Sequence, residues 1–280
     1  MSVMLAPLLL AALATAGARS PTLQLVPVRA RPGDAFLVRV QHASEAPGGE
    51  VAGRQLSFFP VHDGFAAVGA LPVETAPGPL SIRITTRGRE LLEKLDVAPA
   101  DFPARALRVD RRFVEAPDPA VQARIDEDRA AFARAFAQPA SAPLFSSRFA
   151  WPRRSRVTAG FGERRTLNGV KPSQHYGVDL AGEVGAPILA TNTGEVVLVR
   201  DCWASGKTVI VWHGAGIYST YFHLSRALVE PGARVARGQR IGLVGRTGRA
   251  SGPHLHWSVR VGDLYVDPRS VLRLPFGEPR

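Results

Sequence analysis

The run His254-Leu255-His256-Trp257-Ser258-Val259-Arg260-Val261 decides the fold, because it reads as a β-strand. Successive side chains on a strand point to opposite faces, so His254 and His256 share one face and Leu255 takes the other. One short strand therefore aims two imidazoles at the same point. Strand-like runs precede it: Pro187-Ile188-Leu189-Ala190, Gly194 to Arg200, Thr208 to Trp212, Ile217 to Phe222 and Arg240 to Val244, with Gly and Pro between them. No helix of any length is expected after Phe149. Residues 148–280 are predicted to form an antiparallel β-sheet domain with a groove.

Upstream, residues 21–100 also favour short strands, among them Ala35-Phe36-Leu37-Val38-Arg39-Val40, Gly64 to Val73 and Leu80-Ser81-Ile82-Arg83-Ile84. Turn signals fall at Arg31-Pro32-Gly33-Asp34, Pro47-Gly48-Gly49 and Pro77-Gly78-Pro79. This spacing predicts an immunoglobulin-like β-sandwich over 19–110. Residues 117–137 change character. Asp118-Pro119 starts a helix with proline in its first turn, and Val121, Ile125, Phe132 and Phe136 give it an apolar face. Residues 111–147 are thus a helical arm and linker. The whole is an all-β chain of two domains, and the Pro-bounded linker allows them to fold separately.

The chain has 280 residues and one cysteine, Cys202, so no disulfide forms within it. Cys202 has no basic neighbour in sequence and is expected to be inert. Residues 1–18 hold the apolar run Leu5 to Leu13 followed by Ala14-Thr15-Ala16 and Ala16-Gly17-Ala18, which reads as a secretory signal peptide. No later segment is apolar enough to cross a membrane, so an exported, soluble protein is expected, periplasmic first, secreted or envelope-associated next. Residues 1–147 carry 16 Lys and Arg against 15 Asp and Glu, whereas residues 148–280 carry 19 against 9. The positive field sits on the second domain, where it favours an anionic polymer, with a solvated, Arg-rich surface the alternative. The basic residues are scattered and no reading motif accompanies them, which argues against nucleic acid.

Two further histidines and an aspartate join the opening pair. His175 and Asp179 are four apart, so an extended Gly177-Val178-Asp179-Leu180 puts the carboxylate on a defined face, and His223 ends a strand in Tyr221-Phe222-His223-Leu224-Ser225. Two imidazoles and one carboxylate are a set that a catalytic zinc uses while keeping one position open for water. The remaining histidines can then move protons, since imidazole titrates near neutrality.

These residues carry a resemblance. The stretch from Arg156 to Leu272 resembles the LytM/lysostaphin-type zinc metallopeptidases, which cut peptides in bacterial cell walls. It does so through Gly160-Phe161-Gly162-Glu163-Arg164-Arg165, His175-Tyr176-Gly177-Val178-Asp179, Tyr221-Phe222-His223-Leu224-Ser225, Gly245-Arg246-Thr247-Gly248 and Gly252-Pro253-His254-Leu255-His256-Trp257, in the family's order. Residues 21–137 resemble the β domain and arm that precede this module in some exported members. The resemblance implies one zinc per chain on His175, Asp179 and His256, with His223 and His254 as the catalytic pair and no departure at those five positions. It implies peptidoglycan stem peptides as substrate. Asn168, Tyr176, Trp203 and Tyr221 are expected to line the substrate groove, with core positions the alternative for the aromatic three.

Two other functions stay open at this level: a non-catalytic wall-binding or amidase-activating module that kept its metal site, and a peptidase acting on a protein. His213 in Val211-Trp212-His213-Gly214 is expected to be structural. The nearly neutral N-terminal domain is expected to position the enzyme, with covering the groove as the alternative.

Overall fold

The computed structural model describes residues 19–139 and 141–277. The signal-peptide reading of residues 1–18 lies outside them. Residues 22–97 form two facing sheets. One runs Thr22–Val26, Ala35–Gln41, Gly64–Ala70, Phe59–Val61 in spatial order; the other runs Arg29–Ala30, Arg89–Val97, Gly78–Thr86, Gly48–Val51, Arg54–Gln55. Phe36, Val38, Val40, Leu71, Ile82, Ile84 and Leu95 fill the space between them. The all-β, sandwich-plus-sheet architecture is as the alternation of short strands predicts.

The strand Ala35–Gln41 departs from a one-sided strand. Phe36, Val38 and Val40 face the sandwich core, while Ala35 and Leu37 belong to a second core together with Phe149, Val259, Val266 and Val271 of the C-terminal part. Ala66, Val68 and Ala70 do the same from the neighbouring strand. This sheet is thus buried on both faces, which accounts for an almost unbroken apolar run where a one-sided strand would alternate. The two parts share a hydrophobic core. Polar ties reinforce it, with Ala35 N donating to Ser270 Oγ at 2.9 Å and Arg54 Nε donating to Asp263 at 3.0 Å.

The strand Ala104–Leu107, expected within the N-terminal β domain, leaves that sandwich. It pairs in parallel with Arg164–Leu167, which forms a hairpin with Lys171–Gln174. The chain then enters the helix α1, Pro119–Phe136, capped by Asp118, whose side chain accepts from Val121 N. At about 1.5 Å per residue its 18 residues span roughly 27 Å. Ala135, Phe132 and Phe136 pack on Ile210, Trp212 and Tyr218. Asp128 fastens its middle, accepting from Arg200 Nε at 2.6 Å and Trp203 N at 2.7 Å. The arm is a brace laid along the sheet.

The C-terminal sheet has the path Val157–Ala159, Val178–Ala181, His254–Val261, Ile217–Ala227, Gly206–Trp212, Gly194–Cys202, Arg234–Val235, with Pro187–Leu189, Arg240–Val244 and Leu264–Val266 off it. A six-residue helix, α2, Pro268–Arg273, follows, with Asp267 as its cap and Pro at its first turn. Sequence alone had left it unread, being too short to show a period.

Candidate metal centre

The register of the central strands builds the site. Across the antiparallel pairing of Val178–Ala181 with His254–Val261, Asp179 stands opposite His256 and Ala181 opposite His254. Directly paired residues have their Cβ atoms about 5 Å apart on one face, so the carboxylate and the imidazole meet without further machinery. On the other flank Phe222 stands opposite His256. Its ring stacks on the His256 ring at 5.2 Å and 7°.

Strict alternation would then send His223 to the far face. It does not go there, because the strand bulges: Lys207 pairs with Leu224 and Val209 with Tyr221, so the strand Ile217–Ala227 holds one more residue than its partner. His223 absorbs the extra residue with φ of +64°, and its N–H donates to Ser205 O at 2.9 Å. A bulge re-aims side chains in this way. Phe222 and His223 therefore both reach the site, and the His223 ring lies 4.9 Å from that of His254.

His175 enters from the loop between Lys171–Gln174 and Val178–Ala181. Its Nδ1 donates to Gly160 O at 2.6 Å, which fixes the tautomer and leaves Nε2 as a lone pair. Nε2 lies 3.0 Å from Asp179 Oδ1 and 2.9 Å from His256 Nδ1. His256 Nδ1 is 2.9 Å from the same Oδ1, and its Nε2 is 2.8 Å from Ser258 Oγ. In the tautomer that donates Nε2–H to Ser258, three lone-pair atoms face one another with no proton among them. Such a cluster is repulsive by itself and fits a cation. One ligand atom from each residue lies within 4.8 Å of the others, and both histidines are held through their second nitrogen as metal-binding imidazoles usually are.

The electrostatics agree. Burial pushes the Asp179 carboxyl up, but the ring nitrogens of His175 and His256 outweigh it and hold it well below the usual carboxylate range. Burial pushes His256 down to about 4. Burial, and then the rings of His254 and His256, push His223 down to about 3. Both rings are therefore neutral near neutrality, as a ligand or a proton acceptor must be. His223 Nδ1 donates to Thr247 O and His254 Nδ1 to Gly252 O, each at 2.8 Å. Each keeps Nε2 for the cleft.

Sequence reasoning missed the support beneath the carboxylate. Arg165 donates to Asp179 Oδ2 at 2.9 Å and, through Nε, to Glu163 Oε1 at 2.7 Å. The other oxygen of Glu163 lies 3.5 Å from Arg105, on the strand Ala104–Leu107. Both arginines are several residues from any histidine, and only their pairing across the three-stranded sheet shows the chain of charges. Gly177 was missed as well. A Cβ there would come within 2.5 Å of Ser258 Oγ, 2.7 Å of Trp257 O and 2.8 Å of His256 Cε1, so only glycine lets the His175 loop lie against the strand.

The groove residues divide. Tyr176 is 40% exposed and stacks on Tyr265 at the rim. Trp203 sits edge-on to Phe113 in an apolar cavity of about 840 Å³ between α1 and the sheet, whose wall at Phe222 and Tyr265 adjoins the site. The groove reading is corrected for Tyr221, which is fully buried: its hydroxyl accepts from Thr191 N and from Ser219 Oγ, each at 2.9 Å. Asn168 is spent on the backbone of Val109, accepting from its N and donating to its O, so it pins the linker rather than facing a ligand. His213 is buried, between Thr193 O and Ser219 Oγ, in a structural role. The Cys202 thiol is buried, and burial pushes its pKa up.

A sheet-floored cleft that brings two imidazoles and a carboxylate within ligand distance of one another, beside two further imidazoles, has the donor set of a metallohydrolase. Residues 173–268 match the profile of Peptidase family M23. The chain is 41% identical over 107 residues to the peptidoglycan DD-endopeptidase ShyA of Vibrio cholerae, covering 38% of this chain and 25% of that one. It is 37% identical over 117 residues to the DD-carboxypeptidase/endopeptidase Mpg of Neisseria meningitidis, covering 42% and 27%. Thus it spans about a quarter of the length of these curated relatives. A crystal structure of an M23 peptidase candidate from Pseudomonas aeruginosa superposes with a TM-score of 0.66 at 28% identity, covering 86% of this chain and 93% of that one.

Proposed function

We propose that the chain is an exported zinc metalloendopeptidase that hydrolyses peptide cross-links of peptidoglycan. The observation that carries this reading is the convergence of His175 Nε2, Asp179 Oδ1 and His256 Nδ1, flanked by His223 and by His254, whose Nε2 lies 3.7 Å from the same Asp179 Oδ1. The naming of its relatives as peptidoglycan endopeptidases supports the substrate class.

His175, Asp179 and His256 would hold the zinc. When bound, zinc supplies Lewis acidity toward water and toward a peptide carbonyl. The other residues do the rest. His254, steadied by Gly252 O, takes a proton at Nε2 and returns it to the leaving amine. His223, neutral and held by Thr247 O, presents its Nε2 lone pair to the cleft, where it accepts a hydrogen bond from the attacking water. Phe222 keeps the His256 ring in plane, and Arg165 keeps the Asp179 carboxylate turned so that Oδ1 faces the two rings. The N-terminal sheets and α1 brace the cleft from behind, and Tyr176 borders its entrance.

A periplasmic location follows from the substrate. Among the described residues, no helix is long and apolar enough to cross a membrane. The test is incubation of the protein with purified peptidoglycan, with and without chelator, followed by mass analysis of released fragments. Peptide-cleaved fragments that disappear with chelator and return with zinc are expected. Intact peptidoglycan in the presence of zinc-loaded protein would refute the reading.

A further inference from the structure

The cleft over the site has a volume of about 340 Å³ and is lined by Arg105, Arg156, Arg165 and Arg249 around Asp179, His223, His254 and His256. A second cavity, of about 260 Å³, adjoins it on the Tyr176 side, and Arg165 and Arg249 line both. Glu163 and Asp179 already serve Arg165, and the second oxygen of Glu163 serves Arg105. No carboxylate remains for Arg249. Among the described residues its guanidinium makes no hydrogen bond and no ion pair, although it is half-buried.

Its backbone is nonetheless firmly placed. Arg249 N donates to Ala204 O at 2.7 Å. The preceding Gly248 has φ of +70° and lies against the backbone of Ala204 and Gly206, where any Cβ would collide. Burial, and then the charge of Arg165, push the Arg249 guanidinium down from its ordinary value. A half-buried cation with no counter-charge is costly, and a ligand that brings an anion removes the cost. In a peptide substrate that anion is a carboxylate, which a guanidinium binds through two parallel hydrogen bonds.

We propose that Arg249 is a specificity-determining residue that receives a free carboxylate beside the scissile amide. The cleft thereby selects cross-links made through a diamino dicarboxylic acid over uncharged glycine bridges. The proposal rests on the endopeptidase reading above and names its substrate. A diamino dicarboxylic acid that gives one amine to the cross-link keeps a carboxylate on the carbon next to that nitrogen. A glycine bridge offers none at that place.

The test uses two synthetic cross-linked peptides that differ only in carrying a carboxylate or a carboxamide on that carbon. Cleavage is measured with zinc-loaded wild-type, Arg249→Gln and Arg249→Lys proteins, and binding with His254→Ala protein. The wild type is expected to favour the carboxylate by about 10- to 100-fold in kcat/KM, chiefly through KM. Arg249→Gln brings that ratio close to one at unchanged zinc content, and Arg249→Lys restores part of it. A ratio near one in the wild type, or a ratio that survives Arg249→Gln, overturns the proposal while cleavage itself upholds the endopeptidase reading. Preferential binding of the carboxylate peptide without any cleavage by the wild type does the reverse: the carboxylate receptor stands and the endopeptidase reading falls.

Discussion

Arg165 holds Asp179 by the oxygen that faces away from the histidines: Oδ2 accepts from the guanidinium at 2.9 Å, leaving Oδ1 to meet His175 and His256. The carboxylate is thus oriented before any metal arrives. Arg165→Gln is expected to weaken zinc affinity by about 10- to 100-fold, the scale for losing an outer-shell partner. Arg165→Lys should recover only part, since an ammonium cannot bridge Asp179 and Glu163 in one plane. Competition with a chelator of known affinity reads this directly. Wild-type affinity in Arg165→Gln would show that the pair is incidental.

Ligands and proton carriers should separate cleanly. His256→Ala and Asp179→Ala are expected to lose both metal and activity while remaining folded. His254→Ala and His223→Ala should keep zinc and lose about two orders of magnitude or more in turnover. Metal analysis and peptide cleavage on the same four preparations check this, and full zinc occupancy in the first two variants would overturn the ligand assignment.

Gly177→Ala should damage the site from outside it. Its new Cβ meets the backbone oxygen of Trp257, which cannot rotate away, and the His256 ring. A loss of about 1–3 kcal/mol in stability is expected from the forced shift, together with weaker zinc binding. Thermal unfolding and zinc titration measure the two effects.

His213 should make stability depend on pH. Burial lowers its folded pKa to about 4, against an ordinary value of about 6.5 in the unfolded chain. The unfolded state therefore binds the proton more readily. The stabilisation is present above pH 6.5 and is lost as the pH falls from there toward 4, amounting to about 3 kcal/mol when complete. Denaturant unfolding across this range should show the slope, and His213→Gln should reduce it, leaving the part that the buried rings of His223 and His256 contribute.

The shared core should make unfolding a single event. Leu37→Ala lies in the N-terminal half yet is expected to cost about 2–5 kcal/mol and to shift one calorimetric transition for the entire chain. A chain beginning at Phe145 lacks Ala35, Leu37, Val68 and Arg105, and should be less stable and bind zinc more weakly. Two separated transitions in the intact protein would contradict this.

Much of this was legible from residues alone. The i, i+2 spacing of His254 and His256 states their shared face, and Asp118-Pro119 states where α1 begins. Other features depend on pairing that no local pattern records. His223 reads as a residue on the wrong face unless the bulge is known, because the extra residue shows only against the strand Gly206–Trp212. Arg165 and Glu163 look like surface charge until the strand Ala104–Leu107 is laid beside them. Tyr221 could not be assigned to rim or core by its type, since tyrosine suits both; its position opposite Trp257 in the pairing puts it inside.

Phe36 and Leu37 are adjacent in the chain and serve different cores. Any change in that strand is therefore judged twice in evolution, once by the sandwich and once by the catalytic half. Such a partition resists gene shuffling. A catalytic half carried alone into another chain would expose an apolar wall that must first be made polar or given a new cover, and a foreign sandwich would have to supply matching side chains on its outer face. The two halves of this protein are expected to travel, diverge and be lost together.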